Sequence, residues 1–204
     1  MERMKKMAVI ADTVCHVLQV CCLVAGIAAA VGVVIVAAFF LFDLRPEQVA
    51  TGYQSLTLGY LELTIADAAT PDPTKVLANA AVQIGMTGVL AVLAWRYMGC
   101  IRKILAPIQE GAPFHSTVCL QTQKLALLTV FLGVAANAQE LIGMFLNMRT
   151  YNLPALLTGG NITAAQLDMQ LDMSFLAVAA VLLLLSYIFR YGQSLQGTDE
   201  TGGL

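Results

Sequence analysis

Glu140 is the residue whose setting most invites chemistry. It is a carboxylate inside the apolar stretch Leu125 to Leu146, beside Gln139 and close to Asn137. An ionisable side chain in a segment of hydrocarbon-core length is costly to hold there and often functional. It lies about six residues from the outer end of its stretch, ~9 Å deep at ~1.5 Å rise per residue. Interfacial water is within reach at that depth. Asn79 and Gln83, in the preceding apolar stretch, fall at a similar depth. Glu140, Asn137, Asn79 and Gln83 therefore make a candidate intramembrane polar cluster, with Glu140 expected to face inward against Asn79 or Gln83. Such a cluster serves either packing and interfacial hydration or the handling of an ion, a proton or a ligand.

Other chemistry is thinly supplied. His16 and His115 are the two histidines, and with Cys15, Cys100 and Cys119 they offer metal-ligand types on one side of the membrane. Their spacings match no closed zinc pattern, so no metal or cofactor is expected. Glycine-rich phosphate loops, nucleophile elbows and zinc-protease motifs are missing from the sequence. The carboxylates outside the spans are scattered rather than paired. An enzyme is the least favoured reading.

Composition sets the elements that must position these residues. The chain has 204 residues, 58% hydrophobic and 12% charged, against roughly 25% charged in soluble domains. A helix needs roughly 20 apolar residues to cross a bilayer core. Four stretches qualify: about 18–42, 76–98, 125–146 and 173–189. The expected fold is all-α and integral to a membrane, one domain of four transmembrane helices. Arg3, Lys5 and Lys6 resemble the basic start of a signal peptide, but the apolar run after them is too long for one and is read as a retained first helix.

Charge gives an orientation. The N-terminal segment, the 99–124 loop and the C-terminal tail carry Arg3, Lys5, Lys6, Arg96, Arg102, Lys103, Lys124 and Arg190, against Arg45, Lys75 and Arg149 on the other side. The positive-inside rule then puts both termini in the cytoplasm and loops 43–75 and 147–172 outside. The net charge of −2 implies no direct nucleic-acid partner. All five cysteines fall in the membrane or on the cytoplasmic side, so no disulfide is expected.

The loops carry weaker patterns. Leu56 to Tyr60 and Leu61 to Ile65 alternate with period two and slip once, as one bulged strand would; Leu167 to Asp172 alternates too. A small outer β-sheet pairing loops 1 and 3 is expected, with extension of the fourth helix over 162–172 as its rival. In the 99–124 loop, Ile101, Ile104, Leu105 and Ile108 share one helix face, either as an interfacial helix or as a projection of the second span. Small residues in the first span (Ala25, Gly26, Ala28, Ala29, Ala30, Gly32) and second span (Ala81, Gly85, Gly88) allow close helix approach, within one chain or in a homo-oligomer.

A second candidate site lies at the cytoplasmic face. Phe189, Arg190, Tyr191 and Gly192 end the fourth span, and Pro113 and Phe114 turn the chain between the second and third. Contact is expected between 107–116 and 186–196, with Arg190 capping its helix or pairing with Glu110. Two stretches here, IRKILAPIQEGAPF (Ile101 to Phe114) and SYIFRYGQSLQGTDET (Ser186 to Thr201), resemble the bacterial membrane-protein family called domain of unknown function 2975. After Phe114 that family continues with an acidic residue and Asn, where this chain has His115 to Cys119. The resemblance implies a four-span inner-membrane protein of unassigned activity, often beside small helix-turn-helix regulators. The functional expectation is a non-enzymatic sensing or regulatory protein of the cell membrane, whose partners are the lipid bilayer and a cytoplasmic regulatory protein. The alternative is a small transporter or channel subunit using Glu140.

Overall fold

The computed structural model describes residues 2–42, 55–58, 61–64, 73–110, 116–150 and 171–201. Four α-helices hold most of them: α1 (Glu2–Leu41), α2 (Pro73–Glu110), α3 (Ser116–Thr150) and α4 (Ser174–Thr201). Each contains a segment long and apolar enough to cross a membrane. Apolar side chains face outward to match: Leu184 is 62% exposed, while Ser186, two residues on, is 1% exposed. Lipid rather than water is the solvent that tolerates such a surface.

Three helices outrun the bilayer. Helices α1, α2 and α3 have 40, 38 and 35 residues, where about 20 suffice to cross. This corrects the expected 99–124 loop: residues 99–110 complete α2, and 116–124 begin α3. Ile101, Ile104, Leu105 and Ile108 thus belong to a projecting α2, not to a separate interfacial helix. Hydropathy finds the part of a helix that lipid would surround, but it does not mark where the helix stops. Pro107 lies in the last turn of α2, and the helix ends three residues later. A proline there removes one i→i−4 hydrogen bond and crowds the carbonyl four residues back, which suits a helix about to end.

The β structure also differs from expectation. Strand β1 (Ser55–Leu58) pairs antiparallel with β2 (Leu61–Thr64), matching Ser55 with Thr64 and Leu58 with Leu61. The slip in alternation therefore separates two strands of one hairpin and is not a bulge in a single strand. Gly59 and Tyr60 lie between them in sequence, and glycine at the first of two linking positions favours a short hairpin. The expected sheet between loops 1 and 3 is not what these strands form. Residues 151–170, with most of the segment expected to pair or to extend the fourth helix, lie outside the described residues. Residues 171–173 are neither strand nor helix.

Helix α4 starts where its sequence sets a cap. The Ser174 N–H donates to Asp172 Oδ1 at 2.8 Å, two residues on from an N-cap aspartate. Hydrogen bonds from the Ser174 side chain and backbone hold the Asp172 carboxyl below its ordinary value. A carboxyl depressed on folding contributes stability above its unfolded pKa of about 3.9. That contribution is lost as pH falls through the lower folded value. The hydrogen-exchange protection factors of Ser174 to Leu176, taken against the intrinsic rate at each pH, should therefore fall on strong acidification and in Asp172→Ala. Asp172→Asn, which still caps, should stay close to the parent and lose the pH dependence.

The chain divides into two compact units. Unit 1 comprises Met1–Gly26, Val89–Ala135 and Asp172–Leu204. Helix α3 presents its buried stripe here: Val118, Cys119, Thr122, Leu125, Ala126 and Thr129 recur at helical spacing. Thr122 and Thr129 satisfy their hydroxyls within the helix, donating to the Val118 and Leu125 carbonyls. Cys119 and Ser186 hydrogen-bond between α3 and α4, and Gly133 lies against the ring of Phe175. Gly26 faces Ala91 between α1 and α2.

Unit 2 comprises Ile27–Gly88 and Ala136–Leu171. Gly32 packs on Ile84, and Gly88 on Ala29. Gly26, Ala29, Gly32 and Gly88 thus serve packing inside one chain; Ala25, Ala28 and Ala30 are exposed, and Gly85 has nothing within 4 Å of an added Cβ.

Candidate functional site

Asp12, His16 and Gln19 stand at i, i+4 and i+7, so α1 presents them on one face. In unit 1, Arg102 of α2 reaches all three. Its Nε donates to Asp12 Oδ1 at 2.9 Å, and its Nη1 donates to Gln19 Oε1 at 3.1 Å and to His16 Nδ1 at 3.1 Å. Guanidinium only donates, so Nδ1 of His16 is the acceptor in this arrangement. A planar fork with several donors suits three acceptors on successive turns; a lysine would offer a point charge. The Arg102–Asp12 pair is about one-third exposed on each side. Gln109 Nε2 donates to the Ala8 carbonyl at 3.3 Å, tying a further turn. A recess of about 370 Å³ beside these groups is lined by Asp12, Gln19, Gly99, Arg102, Lys103 and Gln109, with Ala106. Sequence reading noted His16 only as a metal-ligand type and passed over Asp12 and Gln19, although their spacing was there to be read. Among the described residues, no group of three or more His, Cys, Asp or Glu converges for a metal ion.

Unit 2 brings together part of the expected polar cluster. Asn79 Nδ2 donates to Asn147 Oδ1 at 2.6 Å, and Gln139 Nε2 donates to Thr87 Oγ1 at 3.2 Å. Between them Gln83 lies over Gly143, where an added Cβ would sit 2.5 Å from Nε2. The result is an antiparallel ladder with a period of four on each helix: Asn79, Gln83 and Thr87 against Asn147, Gly143 and Gln139. Glu140 is not part of it. The expectation that Glu140 faces inward is corrected, because its side chain is exposed. The reason is angular: Gln139, Gly143 and Asn147 hold the inward face, and the next residue is turned about 100° away on an α-helix. Asn137 is half-buried.

The carbonyl oxygens of Asn79 and Gln139 are buried without a partner, so the ladder is only partly satisfied. Interhelical polar pairs in membranes couple by about 0.6 kcal/mol, up to ~1.7. An Asn79→Ala/Asn147→Ala double-mutant cycle, read by unfolding in detergent, should give a coupling in that range. Glu140→Gln, at an exposed residue outside the ladder, should leave that coupling unchanged.

At the second candidate site, Pro113 and Phe114 lie outside the described residues. Arg190 and Tyr191 are exposed, Gly192 is half-buried, and Arg190 makes no ion pair with Glu110. Near this end, the hydrogen bonds between α3 and α4 fall at Cys119 and Ser186. The Cys119 thiol lies 3.5 Å from the Ser186 carbonyl, and the Ser186 hydroxyl donates to the Cys119 carbonyl at 3.3 Å.

Comparison with protein-family models, curated proteins and solved structures finds no match to this chain.

Proposed function

We propose that this chain is a multi-pass protein of the cell membrane, both termini cytoplasmic, that senses or regulates without catalysing. One observation carries the reading. Unit 1, which holds both terminal segments and the connection between α2 and α3, also carries eight of the eleven Lys and Arg residues. Positive residues accumulate on the cytoplasmic side of membrane proteins. Helices α1, α2 and α3, which supply seven of them, exceed bilayer length, and Arg102 clamps α1 to α2. A clamped helical head gives a soluble partner a fixed surface, where a loose loop would first have to be ordered. Membership of the family called domain of unknown function 2975, and with it a bacterial inner membrane, is part of this proposal. It rests on the two stretches that carry the resemblance.

The test has two arms. Reporter fusions after Arg45 and after Leu204 should report opposite sides, with the C-terminal one cytoplasmic. Photo-cross-linking residues at Arg190 or Gln193, activated in native membranes, should then capture one soluble cytoplasmic protein that positions in loop 43–75 do not. Matching fusion signals would sink the topology. Capture from the outer positions alone would sink the cytoplasmic contact.

A further inference from the structure

Unit 1 holds a larger cavity than the recess beside Arg102. Its volume is about 560 Å³, and its lining includes Gln19, Trp95, Arg96, Lys103, Gln121 and Lys124. Leu127 and Leu128 add apolar surface. Three cations and no carboxylate line it. Arg96 and Lys103 stand seven residues apart on α2, hence on one face, and Lys124 comes from α3. Among the described residues none of the three has a carboxylate partner, in contrast to Arg102. Arg96 instead lies over the Trp95 ring, 5.7 Å from its centroid. Like charges gathered on one recess repel each other, and an anion placed among them relieves that. Gln121 adds a second observation: its side-chain oxygen is buried with no hydrogen-bond partner. A ligand that also carries a hydroxyl or amine would satisfy it.

We propose that this cavity binds a phosphate ester. The phosphate oxygens are held by Arg96, Lys103 and Lys124, a donor group of the ligand meets Gln121, and an apolar portion lies against Trp95, Leu127 and Leu128. A glycerophospholipid with a hydroxyl-bearing headgroup has all three features; a soluble organic phosphate has the first two. Binding of the phosphate does not rest on the sensing role. Only the choice of the cytoplasmic leaflet as a lipid source follows from the topology proposed above.

Trp95 is the only tryptophan in the chain, so its fluorescence reports on the cavity. The full-length protein in an uncharged detergent is titrated with dihexanoyl phosphatidylglycerol, dihexanoyl phosphatidylcholine, glycerol 3-phosphate and inorganic phosphate. A saturable change is expected with phosphatidylglycerol and none with phosphatidylcholine. Lys103→Gln/Lys124→Gln should weaken it at least ~10-fold, at about 1 kcal/mol per cation near an anionic surface. Lys75→Gln/Arg149→Gln removes as much charge from unit 2 and should leave binding unchanged. Both cavity lysines are exposed, so a parental melting temperature in that variant separates lost binding from lost fold. Saturation by glycerol 3-phosphate or inorganic phosphate at equal concentration supports the site and assigns it to a soluble ligand; saturation by phosphatidylglycerol alone assigns it to lipid. No saturable response to any phosphate compound, an equal response to phosphatidylcholine, or equal weakening by the two double variants overturns the proposal. Because purified protein is used, none of these outcomes depends on a regulatory partner.

Discussion

Gly133→Ala should be the most damaging glycine-to-alanine change among the described residues. A Cβ at Gly133 would overlap three ring carbons of Phe175. The ring stands near the start of α4, three residues after the Asp172 cap, so it cannot retreat without moving a capped helix end. Overpacking of this kind costs about 1–3 kcal/mol. For a chain of this length each kcal/mol lowers the melting temperature by about 2–4 °C. The expected loss is several degrees, measured in detergent. Adding Phe175→Ala should recover part of it, so that the double variant loses less than the sum of the singles. Two other glycines calibrate the result. Gly143→Ala meets only the tip of the Gln83 side chain, which can swing aside, so it should cost less. Gly85→Ala meets nothing within 4 Å and should be neutral or slightly stabilising, since alanine favours helix over glycine by about 1 kcal/mol. If Gly133→Ala proves as mild as Gly85→Ala, the close approach of α3 and α4 is wrong.

Arg102→Ala should have the second largest effect, located at one end of one helix pair. It removes the donor for Asp12, His16 and Gln19 together. Hydrogen bonds to charged groups contribute about 1.5–3 kcal/mol when well made, but exposed ion pairs contribute only about 0–1. With the pair one-third exposed, roughly 1–2 kcal/mol is expected between those limits. The more telling readout is hydrogen exchange along α1. Protection should fall before Gln19 and hold in the second half of the helix, because the packing at Gly32 and Ala29 is untouched. Arg102→Lys keeps the charge but not the fork, and should fall between parent and alanine. Asp12→Asn should reproduce part of the loss. Uniform loss of protection along α1 would mean that Arg102 does not act as a local clamp.

Glu140 shows where sequence reading failed. Its depth was readable from its position in an apolar stretch. Its direction was not, because an outward face in lipid carries no polar signature to set it apart from the inward one. The ladder on α2 and α3 was in the sequence all along as amides and small residues four apart. It became visible only once the antiparallel register put Asn79 opposite Asn147. Asp12, His16 and Gln19 were similarly readable as one face, yet nothing local to α1 names the arginine, 90 residues away from Asp12, that meets them. The hairpin at 55–64 turned on a single slip in alternation, which fits a bulge and a turn equally well until strand pairing chooses.

By itself the sequence determined the number of long apolar helices and the class of the protein. These follow from constraints local to the chain. A span must be about 20 residues long and must satisfy its own backbone. Tertiary structure alone decided which side of each helix faces a neighbour, how far α1, α2 and α3 continue beyond their apolar cores, and which cations share a cavity. Each residue turns a helix by about 100°, and where apolar groups are as content outside as inside, only contact with another helix fixes that angle.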